Sequence, residues 1–369
     1  MTISRRKMIA LIGGGVIVAA GAAAGGFVAT RRPNEALSPW EDAGQYGDPR
    51  MVALSWAILA PNPHNRQPWQ AELIGKDRVR IWRDPTRNLP ETDPFDRQLT
   101  IGMGCFLEVF RQAAAEQGFT AEFTLFPEGD RGPVADIALT EAGQPDPLFR
   151  FVPSRHTNRL AYADQLPTDD ALAVMAPEAS ELITDKARVD ALRSLTWDAM
   201  FIEMNTHRTH MESVNLMRLG KREINANPDG ISIRGPFPEA LMLAGMLTRE
   251  GQADPESAEF AQAMDFIRSA QDATQAYATV KTNGNTRYDQ IEAGRRWVRL
   301  HLAATSEGIA MQPLSQALQE YPEQAALHKQ AHEMLAETGE TVQMLGRIGY
   351  AAPIGPSPRW PLESRIINT

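Results

Sequence analysis

The spacing of apolar positions separates an early mixed part of the chain from a later, mainly helical one. A first helix is predicted over residues 49–59, stopping before Pro61, because the residue ahead of a proline is pushed out of helical geometry. Two strand-like pieces follow at 70–74 and 79–83, joined by the turn signal Gly75-Lys76-Asp77. Over 98–117, Phe106, Val109, Phe110 and Ala113 recur at helical spacing, and Gly118 suits a C-terminal cap. Phe119, Ala121, Phe123 and Leu125 then alternate with Thr120, Glu122 and Thr124, the pattern of a half-buried strand, with 134–139 as its partner. Further helices are predicted at 187–225, 238–250, 257–279, 289–307 and about 322–337, with Gly308 closing the fourth, and a strand at 342–350. Residues 31–48 are polar, carry Pro33, Pro39, Gly44 and Gly47, and read as a linker. The proline-rich tail, 351–369, is expected to cross another part of the molecule.

Helices outnumber strands and the two are interleaved, which predicts an α+β fold with a modest sheet layered between helices. The stretches 98–125 and 295–314 share one order: amphipathic helix, glycine, short apolar strand. Spacing alone does not separate duplication from coincidence.

The first residues change the picture. Ser4-Arg5-Arg6-Lys7 precede a charge-free, Gly- and Ala-rich apolar run that ends before Arg31. A basic start, a mildly apolar stretch and small residues near Phe27-Val28-Ala29 form an export signal. The paired arginines point to the twin-arginine route, hence a periplasmic or otherwise extracytoplasmic location with the twin-arginine translocase as a partner. The competing reading is an uncleaved anchor, since the run is just long enough to span a bilayer.

Composition is that of a globular protein: 43% hydrophobic and 22% charged residues over 369 positions, with a formal net charge of -9. An acidic chain without a basic stripe argues against nucleic acid as a partner. The single cysteine, Cys105, precludes an internal disulfide and reads as a small buried hydrophobe beside Phe106 and Leu107.

Three stretches carry candidate chemistry. In Ala60-Pro61-Asn62-Pro63-His64-Asn65-Arg66-Gln67-Pro68-Trp69, prolines fix the backbone, and the Asn and Gln amides suit the edge of a flat heterocycle; a rigid turn without a ligand is the alternative. In Ser154-Arg155-His156-Thr157-Asn158-Arg159, two arginines four apart flank a hydroxyl, a set that can hold phosphate, although a solvated turn has the same composition. In 357–363, Arg359 stands near Pro358 and Pro361, which defines its reach. His328/His332 and His207/His210 have zinc-like spacing but no convincing third ligand, so no metal is expected. Trp197, Met200, Phe201 and Met204 at helical spacing read as core.

Together the three stretches resemble the nitroreductase family of FMN-binding oxidoreductases: its S-x-x-N-x-Q-P-W segment at 61–69, its R-x-S-x-R segment at 155–159 and its closing R-x-P-L-E segment at 359–363. The run 303–315, with Glu307-Gly308-Ile309, is similar to the family's late helix, glycine and flavin-facing turn. Ordinary members place the arginine segment first. The order here resembles the Acg-like branch, in which two halves are fused into one chain that imitates the dimer.

The resemblance implies a nitroreductase-like fold with an antiparallel-rich sheet packed between helices and two fused pseudo-dimer halves. It divides the chain into a signal (1–32), a linker (33–48), a first half (49–150) and a second half with lid and C-terminal arm (151–369). It implies one composite FMN site. Arg155, His156, Thr157 and Arg359 would lie toward the phosphate and ribityl side, and Arg159 near the pyrimidine edge. Pro61, Asn62, Asn65 and Gln67 would contact the ring from the other half, with Gln312, Leu314 and Ser315 lining the turn near N5. No protein nucleophile is needed, because N5 carries the chemistry. The implied activity passes electrons through flavin to a nitroaromatic or quinone-like acceptor, with a membrane quinol or a redox partner as possible donor outside the cytoplasm. The other reading is an FMN store with little turnover, the Gly-, Pro- and Met-rich segment 227–257 acting as lid.

Overall fold

The computed structural model describes residues 30–367; the signal expected over 1–32 falls almost wholly outside the described residues. The stretch read as a linker instead contains helix α1, Asn34–Asp42, which buries Ala36, Leu37 and Pro39. Helix α2, Pro49–Ala57, starts at Asp48, whose carboxylate accepts from the Arg50 N–H, with proline at the first helical position. Strands β1 (Trp69–Ile74) and β2 (Arg78–Arg83) form the expected hairpin. Helix α3, Arg97–Glu116, then leads through Gly118 into β3 (Phe119–Leu125) and β4 (Ala135–Glu141).

The second half begins with α4 (Asp169–Met175) and β5 (Glu181–Ile183). A mainly helical insertion follows: α5 (Lys186–Asn205), α6 (His207–Leu216), β6 (Met217–Leu219), α7 (Gly220–Ala226), β7 (Ile231–Ile233), α8 (Pro236–Leu243), α9 (Arg249–Ala253) and α10 (Ala258–Asp272). The sheet resumes with β8 (Ala276–Thr282), then α11 (Arg287–Ser306), β9 (Ala310–Pro313), α12 (Ala325–Leu335) and β10 (Thr341–Gly349).

Two differences from the sequence reading have a local cause. The helix expected over 257–279 ends at Asp272, and Ala276–Thr282 is a strand. Its residues are buried on both sides, so the alternation that marks a half-exposed strand is missing. The long helix expected over 187–225 breaks at Thr206, whose extended backbone (ψ 111°) re-aims the chain between α5 and α6.

The two halves share one topology. The first sheet has the order β1-β2-β4-β3 and the second β5-β8-β10-β9, both antiparallel throughout. In each, the 20-residue helix lies between the second and third strands and ends at a left-handed glycine, Gly118 (φ 84°) or Gly308 (φ 67°). The glycines Gly104 and Gly294 stand the same 190 residues apart as Gly118 and Gly308. The echo between 98–125 and 295–314 is therefore a structural repeat.

The repeated helices α3 and α11 pack directly on each other. A Cβ added at Gly104 would lie 2.2 Å from the Ile291 carbonyl oxygen, and one added at Gly294 would lie 2.0 Å from that of Ile101. Only glycine permits this approach. Cys105 is buried here, its Sγ 3.2 Å from the Gly294 carbonyl, and burial pushes its thiol up to about 12. That is the inert small hydrophobe expected. Ala substitution at Gly104 or Gly294 is expected to cost on the order of 1–3 kcal/mol or more, read as a lower urea midpoint. Gly118→Ala, where the added Cβ meets nothing within 4 Å, is expected to cost only its left-handed φ, about 1–2 kcal/mol.

Candidate functional site

The site is assembled where α2 ends. Its C-terminal carbonyls, left without helical partners, point at two buried arginines from distant parts of the chain. Arg359 donates to Ile58 O (2.8 Å), Leu59 O (3.0 Å), Ala60 O (3.1 Å), Asn65 Oδ1 (2.7 Å) and its neighbour Pro358 O (2.9 Å). Arg155 donates to Leu59 O (3.2 Å) and to His301 Nδ1 (3.4 Å). A guanidinium is donor-only, so His301 accepts at Nδ1 and is neutral. Burial, then the Arg155 charge, holds the His301 ring well below its usual range.

Among the described residues neither arginine has a carboxylate partner, and both are 3% exposed. Burial pushes Arg155 down to about 10; burial and the Arg155 charge push Arg359 down to about 9. These shifts express the cost of keeping two cations in a dry place without an anion.

The repeat supplies an internal contrast. In the α3 position equivalent to His301 on α11 stands Arg111. Arg111 pairs with Glu108 (2.6 Å) and Asp146 (2.7 Å), while Arg299 pairs with Asp146 (2.5 Å), Glu178 (2.8 Å) and Glu108 (3.1 Å). Three carboxylates neutralise two cations there. One location is neutralised by carboxylates; at the other, among the described residues, the two guanidiniums meet carbonyls and a neutral histidine.

The motif loop is strained and self-bonded. His64, Asn65 and Gln67 all have positive φ (46°, 51° and 50°), a conformation that costs energy for residues with a Cβ. Side-chain amides hold it. Asn62 Oδ1 accepts from Gln67 N (2.7 Å), and Asn65 Nδ2 donates to Pro358 O (3.0 Å). Gln67, fully buried, donates to Pro228 O (2.8 Å) and Asn65 O (3.2 Å) and accepts from Trp360 N (2.9 Å). The side chains of Asn62, Asn65 and Gln67 spend these donors and acceptors on the loop and on the segments at Pro228 and Pro358–Trp360, because a bend with three left-handed residues has few backbone bonds of its own. Pro61 sits half-buried at its entrance.

The arginine segment runs beside the second sheet. Thr157 forms a parallel bridge with Met311, and Asn158 N donates to Met311 O (3.1 Å). His156 meets Trp40 edge-on (centroids 5.0 Å apart), and burial beside Arg155 and Arg359 pushes it down to about 4. Arg159 is exposed and makes no hydrogen bond or ion pair among the described residues.

The β9 residues are brought near but are used differently from expectation. Gln312 Oε1 accepts from Arg347 Nε (2.7 Å), and Ser315 Oγ lies 3.3 Å from Gln98 Oε1. Leu314 lines nothing: it is 1% exposed, packs in the core under α5 and α12, and donates its N–H to Leu345 O. Its place next to β10 makes it a core residue. Sequence reasoning missed His301, whose helical position among Leu300 and Leu302 gave no polar signal, and Trp360, which lay inside a quoted motif without an assigned role. Among the described residues, no group of histidines, cysteines and carboxylates is arranged to hold a metal. His332 instead accepts the Val342 N–H at Nε2 (3.1 Å). Met200 and Met204 pack with Phe260 and Met264 as core, with Trp197 against them, although Phe201 is half-exposed.

No family model matches the chain. It is similar to a Mycobacterium tuberculosis protein named a putative NAD(P)H nitroreductase, 24% identical over 327 residues, covering 85% of this chain and 90% of the relative. A second, named acg, is 32% identical over 146 residues, 38% of this chain and 43% of the relative. Solved structures overlap part of the fold. A nitroreductase-like protein from Bacillus cereus is 12% identical over 61% of this chain and 96% of its own, with a TM-score of 0.32. An FMN-dependent nitroreductase from Mycobacterium smegmatis, in complex with NADPH, is 18% identical over 58% and 94%, with a TM-score of 0.37. The structural overlaps are too shallow to carry an argument.

His64, His156 and His301 are neutral in the folded chain and take up protons once unfolded. Stability is therefore expected to fall as pH drops from about 6.5 toward 4, at about 1.4 kcal/mol per pH unit for each proton taken up. Urea midpoints at pH 7.5 and pH 5 check this.

Proposed function

We propose that this chain is an FMN-dependent oxidoreductase of the nitroreductase family, of the fused-dimer Acg-like type, with one flavin site per chain. The observation that carries the reading is the pair of buried guanidiniums, Arg155 and Arg359, without a carboxylate between them. A phosphate monoester supplies the missing charge, and guanidinium forks match its oxygens. The residues fit such a group with a division of labour. Arg359 has all its donors engaged, so it fixes the loop and contributes field. Arg155 and Thr157 are placed to bind the phosphate, and Arg159 is unpaired and free to face a ring that gains negative charge. The equivalent place in the other half has its cations neutralised, which supports a single site.

FMN, when bound, supplies reversible two-electron chemistry, and the protein supplies position and electrostatics. His156 and His301, neutral rings beside the two guanidiniums, add no competing charge. Both relatives are named for NAD(P)H. For an exported chain a membrane quinol or redox partner is the alternative donor, and nitroaromatics or quinones are the proposed acceptors. Export by the twin-arginine translocase to the periplasm rests on the Ser4-Arg5-Arg6 signal.

A second reading, FMN storage with little turnover, draws on one contact set. The start of the segment expected to be a lid is fastened to the motif loop. Pro228 O accepts from Gln67, and Asp229 pairs with Arg218 (2.7 Å), Arg87 (3.0 Å) and Arg66 (3.6 Å).

The purified protein is expected to show flavin bands that bleach anaerobically with NADH, NADPH or a quinol and recover on adding a nitroaromatic or quinone. Bands that no donor bleaches favour storage, and absence of flavin after reconstitution with FMN sinks both readings. Arg155→Ala is expected to weaken FMN roughly tenfold to a hundredfold, the loss of one charged hydrogen-bonding partner. Arg359→Ala is expected to lower stability as well, since it strips partners from three α2 carbonyls.

A further inference from the structure

We propose that His64 is the side chain through which the first half touches the bound ring system, in place of the amides of Asn62, Asn65 and Gln67. The inference rests on the FMN reading above and concerns a residue that the motif comparison left without a role.

Three observations meet at this residue. The amides beside it are engaged within the loop, by Gln67 N, Arg359, Pro358 O, Pro228 O and Trp360 N. His64 makes no such bond: its Nδ1 is shielded from solvent and has no hydrogen-bond partner. An orphaned buried polar atom costs about 1–3 kcal/mol, and a bound ligand is one way to complete it. The backbone here is held at φ 46°, outside the helical range of the turn that contains it. A left-handed φ costs energy for any residue with a Cβ, histidine included, so the loop holds this ring in place against a backbone cost.

The electrical surroundings specify what the ring can do. Burial, and after it the charges of Arg159 and Arg66, push it down to about 4. The ring is therefore neutral at physiological pH, with one N–H to donate and one nitrogen to accept. Arg159 offers donors only. A heterocyclic edge carrying both carbonyl oxygens and an N–H needs both kinds of partner, and His64 with Arg159 provides them. The loop that carries the ring is seated against α3: a Cβ at Gly102 would come within 3.1 Å of both Asn62 Cβ and Pro63 Cδ.

The test uses His64→Asn, which suits a left-handed φ, removes the imidazole and breaks no hydrogen bond of the ligand-free protein. His64→Gly serves as the second variant, relieving the backbone outright. Full-length apoprotein is titrated with FMN, reading flavin fluorescence, the visible absorption maxima and the equilibrium midpoint potential. We expect Tm equal to or above wild type for both variants, FMN Kd raised roughly tenfold, and altered absorption maxima and midpoint potential. If wild-type protein binds no FMN, the functional reading itself has failed. If wild type binds FMN and both variants match it in Kd, spectrum and potential, the His64 assignment is overturned. A fall in Tm without a change in FMN binding overturns it too, since that outcome marks a structural histidine.

Discussion

The crossing of α3 on α11 is the constraint from which the rest of the molecule follows. Gly104 and Gly294 bring two backbones so close that a methyl group at either would strike a carbonyl of the other helix. Packed interiors have no slack for such an insertion. The contact therefore fixes how the two four-stranded sheets, each attached to one of these helices, face one another. It also sets the end of α2 from the first half opposite Arg155 and β9 from the second.

On that frame, the same architecture carries two electrostatic outcomes. One side closes its charges internally through Glu108, Asp146 and Glu178 around Arg111 and Arg299. The other places Arg155 and Arg359 in the dry interior with only carbonyls and a neutral histidine to receive them. Carbonyl dipoles solvate a guanidinium but do not cancel its charge. A repeated fold has thus been specialised by the placement of carboxylates, with no change in topology.

The chain folds back on itself to reach this point. The segment around Arg359 arrives from the far end, ties the motif loop through Asn65 and Gln67, and continues as a parallel bridge from Ile366 to Ala71 on the edge of the first sheet. The helical insertion contributes as well, through Pro228 and Asp229. Strain in the motif loop persists because contacts from three separate regions over-determine it.

Much of this was legible in the sequence. Helical and alternating periodicity located α2, α3, β1 to β4, α11 and β10 within a few residues. The glycine after each long helix and the shared helix-glycine-strand order raised a repeat that spacing alone left open, and the arginine and Asn-x-Gln-Pro-Trp motifs marked residues that converge. Tertiary structure alone decided the rest. Ala276–Thr282 is a strand because its neighbours bury both its faces, a property absent from its own pattern. The amides of Asn62, Asn65 and Gln67 face inward, and Leu314 belongs to a core, because hydrogen bonds and packing are settled by partners hundreds of positions away. Whether a buried arginine is paired or waiting for an anion depends on which carboxylates the fold brings to it, and local sequence does not encode that distance.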